Sequence, residues 1–346
     1  MVGRPGQAQC VSRPPALTWV PNYMKSPSVA TRSSWFIRNR MTLLTLAVVL
    51  AYAAFIEWFW GWGSVLAQWA EVGIVPIVTA LVLLTGTYFL RTWRIYDYFP
   101  RETKGHFAPL FRVTQIHNLL NVMMPFRTGE TSFPLLMRAE FGVPLARSTA
   151  ALFVMRVLDL HALLAAAGTG LAIASPHRLL AWLVWLGFLL LPVAAFAVRR
   201  PLIRISHKFL PAKLETVLLE IERGLPAHAA AFARAWAMTV VNWLVKVLVL
   251  AWALGLMQVA PLAASFGGAL GGELSSVLPV HAPGGVGTYP AGITAGALAF
   301  GASGDELGLR TLARASISGH LLVVVSALIG TALGLLVAKK PVVAEE

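Results

Sequence analysis

Hydrophobic positions occur in long runs from Met41 to Ala338, and only short polar stretches separate them. Runs of about 20 apolar residues match the length at which an α-helix crosses the bilayer core. No polar stretch between the runs exceeds about 25 residues, which is short of a typical soluble domain. We therefore predict an all-α polytopic membrane bundle with six spanning segments, at about 41–60, 73–90, 148–174, 179–198, 235–257 and 314–338.

The chain before the first run has a different composition. Residues 1–40 are rich in Pro, Ser and Arg and show little hydrophobic periodicity, which is typical of a disordered arm. A transit-like leader or a start codon assigned too early, with Met24 and Met41 as alternatives, are the other interpretations. The predicted domains are thus a basic arm at 1–40, a transmembrane domain at 41–338 and a short tail at 339–346.

Basic residues predict the orientation of the segments, because cytoplasmic loops retain Lys and Arg. The 57–72 loop has Glu57 and Glu71 and neither Lys nor Arg. The arm, the 199–213 loop and the tail are basic, as is the loop predicted after segment two, with Arg91, Arg94, Arg101, Lys104 and Arg112. Both termini are therefore expected in the cytoplasm, with the protein in the inner (plasma) membrane.

This orientation requires two stretches that enter the membrane and return on the same side. The stretches are about 110–141 and 263–300, and they are interrupted at Pro125–Gly129 and Pro279–Gly287. Broken helices at membrane depth are tolerated where they are buried in protein or line a cavity. Two re-entrant hairpins from opposite faces are typical of inverted-repeat transporters. In the alternative count, one hairpin is a spanning helix, and the charge rule fails at one end.

Composition narrows the class of function. Only 12% of residues are charged and the mean hydropathy is +0.70, although the formal net charge is +13. In a membrane protein such a charge reflects cytoplasmic loops and attraction to anionic lipids, so no nucleic-acid partner is expected. Motifs of hydrolases, zinc proteases and nucleotide-binding loops are missing, and the histidines lack ligand spacing. We expect no enzyme activity, no cofactor and no metal.

The first candidate site lies at the break of the first hairpin, at Asn121, Pro125, Arg127, Gly129 and Glu130. Proline ends a helix and glycine permits the conformation that restarts one. The amides at a new helix start can hold an anion, and a guanidinium is suited to phosphate. The alternative is a loop hairpin with a surface salt bridge between Arg127 and Glu130.

Charged residues inside the predicted spans form the second group. A lone charge at the helix centre costs about 3 kcal/mol, but Arg156 and Asp159 are three residues apart and can neutralise each other. A purely structural pair is the alternative. Lys246 shares a helix face with Asn242, and either meets a lipid phosphate or pairs with Glu130 or Asp159.

The break of the second hairpin gives the third group. Prolines and glycines are too dense there for a continuous helix, and Glu273 and His281 could contact substrate or protons. A plain periplasmic loop is the alternative. The candidate residues of this group are Glu273, Pro279, Pro283, Gly284, Gly285 and Gly287.

Three motifs carry a resemblance to a known family: Asn121-x-x-x-Pro125-x-Arg127-x-Gly129-Glu130, Arg156-x-x-Asp159 and Leu278-Pro279-x-x-x-Pro283-Gly284-Gly285-x-Gly287. Over about 41–338 the chain resembles the flippase-like membrane domain of lysylphosphatidylglycerol synthases in a stand-alone form. The family often has glutamate where this chain has Met155 and Pro290. The synthases carry an aminoacyl-transferase domain after the membrane part. Because this sequence ends at Glu346, no lipid synthesis is expected.

The resemblance implies movement of a lipid between leaflets. Together with the charged candidate residues, it predicts a translocase for a phosphate-bearing lipid. The expected partners are membrane lipids, anionic or phosphate-bearing, and an envelope-lipid biosynthetic enzyme. The alternatives are a membrane-embedded transferase on lipid-linked substrates, for which Asp305-Glu306 is the candidate acidic motif, and a non-transporting accessory subunit.

Overall fold

The computed structural model describes residues 40–206, 219, 221–277 and 282–337. The chain divides into two units, Met1–Leu43 and Leu44–Glu346, and the helical bundle belongs to the larger one. The predictions for 1–39 and for the tail lie outside the described residues. The helices are α1 (Arg40–Phe59), α2 (Trp62–Val72), α3 (Ile74–Tyr98), α4 (Phe107–Met123), α5 (Ser132–Phe141), α6 (Leu145–Ala174), α7 (Arg178–Ser206), α8 (Ala229–Leu256), α9 (Leu262–Val277), α10 (Thr288–Ala299) and α11 (Glu306–Val337).

The fold class is confirmed: the protein is a polytopic helical membrane protein. Five of the described helices are long and apolar enough to cross a membrane, namely α3, α6, the part of α7 up to Arg199, α8 and α11. The 20-residue helix α1 lies where the first span was predicted but is not among the five. Large apolar side chains face outward, as on Leu171 and Leu179, which are more than three-quarters exposed. Such a surface suits contact with lipid tails.

Helix α3 is longer than its apolar run, which corrects one prediction. It extends to Tyr98, so Arg91 and Arg94 lie within the helix and not in a loop. Arg94 is only 4% exposed. Arg112 likewise lies in α4. The loop between α3 and α4 keeps Arg101 and Lys104, so this connection remains basic.

Contacts between helix termini define what we call the first end of the bundle. Arg147 at the start of α6 donates to the carbonyl oxygen of Tyr98 at the end of α3 (3.3 Å) and also contacts Glu102. Arg112 and Glu140, near the start of α4 and the end of α5, form an ion pair at 2.6 Å. The first hairpin, α4–α5, therefore enters and leaves at the first end.

The second hairpin, α9–α10, enters from the opposite end. A Cβ placed on Gly170, near the end of α6, would lie 3.4 Å from the ring of Phe300, which follows α10. The end of α8, the start of α9 and the end of α10 line one apolar groove with the end of α6. The two hairpins thus enter the bundle from opposite ends, and their entry from opposite faces of the membrane stays a prediction.

The two hairpins meet at their turns. In the first, a 3₁₀ turn at Pro125–Thr131 separates α4 from α5, and Phe126 and Arg127 adopt left-handed conformations with φ of 49° and 56°. Gly129 was predicted to permit that conformation. Instead it is needed for close packing, because a Cβ there would lie 2.3 Å from the carbonyl oxygen of Leu120.

The turn of the second hairpin, Pro283–Gly285, contacts that of the first. Gly284 has φ of 64°, and a Cβ on it would lie 2.4 Å from the ring of Tyr52 in α1. Gly287, with φ of 77°, precedes the first residue of α10. Pro279 and His281 lie outside the described residues. Both helical breaks are therefore where the Pro and Gly pattern placed them.

Candidate functional site: a cationic chamber between two broken hairpins

A small chamber lies where the two hairpins meet. Its volume is about 50 Å³, enough for a group of a few heavy atoms. Four cationic side chains and one carboxylate line it, from α3, the first hairpin turn, α6, α8 and α9: Arg91, Arg127, Arg156, Lys246 and Glu273. Neutral polar and aromatic groups complete the lining, namely Tyr88, Asn118, Asn121, Ser276, Trp243, Tyr289 and His320.

Glu130 joins the two arginines that the sequence placed in different motifs. Its Oε1 contacts Arg127 and also accepts from Nε of Arg156 at 2.8 Å. Arg127 Nη1 donates to the carbonyl oxygen of Ser276 at 2.8 Å, which ties the first hairpin turn to the end of α9. One carboxylate therefore restrains two guanidinium groups at the chamber wall.

Asp159 is buried behind the chamber, where it keeps its predicted partner Arg156 and gains a second, Arg94. Its Oδ1 accepts from Arg94 Nη1 at 2.5 Å and from Trp243 Nε1 at 2.9 Å. The predicted partner, Arg156, contacts Oδ2 at 3.2 Å. Because Arg156 also has Glu130, Asp159 primarily neutralises Arg94. Arg127, Glu130, Arg156 and Asp159 thus form one interior cluster, which Arg94 of α3 and Trp243 of α8 extend.

Lys246 pairs with neither Glu130 nor Asp159, the two acidic partners that the sequence suggested. Its Nζ lies 2.8 Å from Oε2 of Glu273 on α9, and 4.8 Å from the ring of Trp243. Tyr289 of α10 donates to Oε1 of the same carboxylate at 3.1 Å. Glu273 is fully buried. This carboxylate therefore joins α8 to both helices of the second hairpin.

His117 of α4 supports the chamber wall from behind. Its Nε2 lies 3.3 Å from Nη2 of Arg156, and its Nδ1 lies 3.0 Å from Oγ of Ser132. The hydroxyl of Ser132 donates to the carbonyl oxygen of Gly129. A guanidinium can only donate, so Nε2 accepts and Nδ1 carries the proton. The imidazole is therefore neutral in this arrangement.

An open apolar groove lies beside the chamber; we call it the lateral groove. Its volume is about 710 Å³. The first hairpin turn, α5, α6 and Val277 at the end of α9 line it, with apolar side chains such as Leu135, Leu152 and Phe153. Arg127 and Arg156 line both the groove and the chamber. A polar compartment and an apolar compartment thus share two arginines.

A second apolar cavity of about 440 Å³ lies on the other side of the hairpin turns. Tyr52 and Phe55 of α1, Met123 and Met124 of the first hairpin and Pro283 of the second line it. Asn121 and Val122, which precede the two methionines, line the chamber. The end of α4 therefore separates the chamber from this cavity.

Sequence reasoning found part of the chamber. Of the predicted residues, Asn121, Arg127, Arg156, Lys246 and Glu273 line it. Pro125, Gly129, Gly285 and Gly287 shape the hairpin breaks, and Pro283 and Gly284 line the second cavity. The residues missed are Tyr88, Arg91, Arg94, His117, Trp243, Tyr289 and His320. Helical spacing places Tyr88 and Arg91 on one helix face, and likewise Trp243 and Lys246, because the members of each pair are three residues apart. This spacing was the sequence signal available for these residues.

The remaining acidic motif, Asp305-Glu306, stabilises the start of α11. The backbone N–H of Gly308 donates to Oδ1 of Asp305 at 2.7 Å, which lowers the pKa of this carboxyl. Glu306 pairs with Arg310 one turn further along α11. Among the described residues, no three His, Cys, Asp or Glu side chains come together in a way that could hold a metal ion.

Comparison with known proteins adds one finding. A family model described as "Lysylphosphatidylglycerol synthase TM region" matches residues 42–338, which is most of the chain. The region covers both hairpins and every residue of the chamber. No match was found among curated proteins or among solved structures.

Proposed function

The chain belongs to the lysylphosphatidylglycerol synthase TM region family, and on this basis we propose that it moves a phosphate-bearing lipid between the leaflets of a membrane. Membership assigns it a membrane role related to lipids. Translocation is a more specific proposal than a lipid-related role, and one observation supports it. A cation-lined chamber lies next to an apolar groove, and Arg127 and Arg156 line both. An amphiphile needs both kinds of compartment at once.

The chamber suits a phosphate head. Four cationic side chains line it, and three are arginines, whose planar forks of donors match phosphate oxygens. Asn121 and Tyr289 add neutral hydrogen-bonding groups. The lateral groove suits acyl or prenyl chains because its lining is largely apolar. A lipid can therefore hold its head in the chamber while its tails stay in the groove.

The broken hairpins provide a route for movement. Irregular backbone deep in a membrane protein commonly marks the site at which access alternates. The hairpins enter from opposite ends, and the bond from Arg127 to the carbonyl oxygen of Ser276 links the first hairpin turn to the end of α9. A lipid phosphate in the chamber competes for Arg127. Glu130, in contact with Arg127, then keeps the guanidinium neutralised once the lipid has left.

We propose that the protein performs no covalent chemistry. The acidic pair that motivated a transferase, Asp305 and Glu306, is exposed and occupied in capping and pairing at the start of α11. The acidic groups of the chamber, by contrast, are bound to cations, as Glu273 is to Lys246. An envelope-lipid biosynthetic enzyme remains the proposed protein partner, as the supplier of the lipid.

Translocation is tested in liposomes with fluorescent phospholipids and dithionite quenching of the outer leaflet. The wild type is expected to expose inner-leaflet lipid faster than Arg127→Ala by about tenfold, the value of one or two charge-assisted hydrogen bonds. The variant should still fold, because Glu130 keeps Arg156 as its partner. Arg310→Gln, which removes an exposed arginine far from the chamber, is the matched control and should behave as wild type.

Three results would redirect the proposal. A chemically modified headgroup in the recovered lipid favours the transferase. No acceleration with anionic, zwitterionic or polyprenyl lipids favours the accessory subunit. Equal rates for wild type and Arg127→Ala would show that the lipid head does not pass through the chamber.

We also propose an inner-membrane location with the first end of the bundle in the cytoplasm. Arg101 and Lys104 at that end support it. In a Cys10→Ser background, Ser303→Cys should react with a membrane-impermeant thiol reagent in intact cells, and Lys104→Cys only after permeabilisation. Both positions are exposed. Reaction of both from one side contradicts the opposite entry of the hairpins, and the reverse order inverts the proposed orientation.

A further inference from the structure

The charges around the chamber do not cancel. Five cations belong to the chamber and the contacts behind it, namely Arg91, Arg94, Arg127, Arg156 and Lys246. Three carboxylates accompany them, Glu130, Asp159 and Glu273. The cluster therefore carries a surplus of two positive charges. His117 is neutral by its hydrogen bonds.

One of the two surplus charges lies at Arg91, and the other is shared by Arg127 and Arg156, which have a single carboxylate between them. Arg94 has Asp159, Arg127 and Arg156 have Glu130, and Lys246 has Glu273. Arg91 instead donates to the neutral Oδ1 of Asn118 at 2.5 Å. Within the described part of the chain, no carboxylate forms an ion pair with it. Arg91 is partly buried, and a charge withdrawn from water without an opposite partner is costly, so an anionic ligand at this wall stabilises the protein.

The size and charge of the chamber restrict the ligand. About 50 Å³ accepts a group such as a phosphate but not a head with a long side chain. A head with a net positive charge would add to the surplus, and a zwitterionic head would leave the surplus unchanged. A phosphodiester, with one negative charge, would cancel half of it. A terminal phosphate monoester, with close to two charges at pH 7, cancels it.

We propose that the chamber selects a doubly charged phosphate, the head of a lipid that ends in a phosphate monoester, and that Arg91 is the residue that sets this preference. The proposal rests on the proposed function, since it names the lipid class for the same chamber. Arg127 and Arg156 exchange Glu130 for the phosphate, while Arg91 has no carboxylate to exchange. The preference for two charges over one therefore depends on Arg91 more than on the other arginines.

The test compares two lipids with the same acyl chains, phosphatidic acid and phosphatidylglycerol, bound to the purified full-length protein and detected by native mass spectrometry at about pH 7.5, where the monoester carries close to two charges. The wild type should prefer phosphatidic acid by about tenfold, the value of one further charge-assisted contact. Arg91→Gln should abolish the preference and Arg91→Lys should retain most of it. Arg310→Gln should leave it unchanged. Inorganic phosphate as a competitor separates a lipid site from a site for free phosphate.

The outcomes separate this proposal from the proposed function. Equal binding of the two lipids by wild type, or an unchanged preference in Arg91→Gln, overturns the charge selection even if lipids are translocated. Displacement of both lipids by millimolar inorganic phosphate overturns the lipid assignment. Preferential binding of phosphatidic acid without its translocation would support the charge selection and contradict the proposed transport function. If Arg91→Gln does not fold, the wild-type preference and the Arg91→Lys variant still decide the question.

Discussion

Replacing Asp159 with asparagine is expected to destabilise the protein by about 3–5 kcal/mol, the typical cost of removing one partner from a buried ion pair. The substitution preserves the size of the side chain and removes only its charge. Arg94, which is 4% exposed, then has no carboxylate partner among the described residues. Arg156 is less affected, because Glu130 remains within 2.8 Å of it. Unfolding in mixed detergent micelles measures the difference in free energy.

Two further variants identify the cause. Glu306→Gln removes an equivalent charge from an exposed pair with Arg310 and should cost no more than about 1 kcal/mol. Arg94→Met combined with Asp159→Asn removes both charges and should be more stable than Asp159→Asn alone. An Asp159→Asn protein as stable as Glu306→Gln would show that the buried pair is not needed for folding.

The bundle and its two breaks could be predicted because their signals are local. An apolar run of about 20 residues defines a span, and proline and glycine interrupt a helix wherever they occur. The predicted breaks at Pro125–Gly129 and after Pro279 accordingly agree with the turns at Pro125–Thr131 and Pro283–Gly285. The opposite entry of the hairpins followed from charges in the loops, which are also local.

The pairing within the chamber could not be predicted, because it depends on residues distant in sequence. An arginine just after an apolar run has the same local pattern whether the helix ends there or continues. Arg94 continues in the helix because Asp159, 65 residues later, neutralises it. Lys246 likewise finds Glu273 on the second hairpin, although Asp159 and Glu130 were equally plausible from sequence. Which carboxylate faces which cation is decided only when the hairpins pack.

The packing of the second hairpin is expected to fail on the addition of a single methyl group. Helices α9 and α10 approach through glycines four residues apart on each, Gly267 and Gly271 facing Gly292 and Gly296. A Cβ on Gly271 would lie 2.2 Å from the carbonyl oxygen of Gly292. Backbone on both sides cannot move aside as a flexible side chain can. Gly271→Ala should therefore cost about 3 kcal/mol or more, at the upper end for overpacking.

Gly86→Ala is the matched control and should have the opposite sign. Gly86 lies within α3, and a Cβ there meets nothing within 4 Å. Alanine in place of glycine in a helix stabilises by about 0.5–1 kcal/mol. Both variants are measured by unfolding in mixed micelles and by binding of phosphatidic acid. Because Glu273 and Tyr289 reach the chamber from α9 and α10, a separated hairpin should also lose the lipid. Equal stability of Gly271→Ala and Gly86→Ala would show that α9 and α10 do not pack through these glycines.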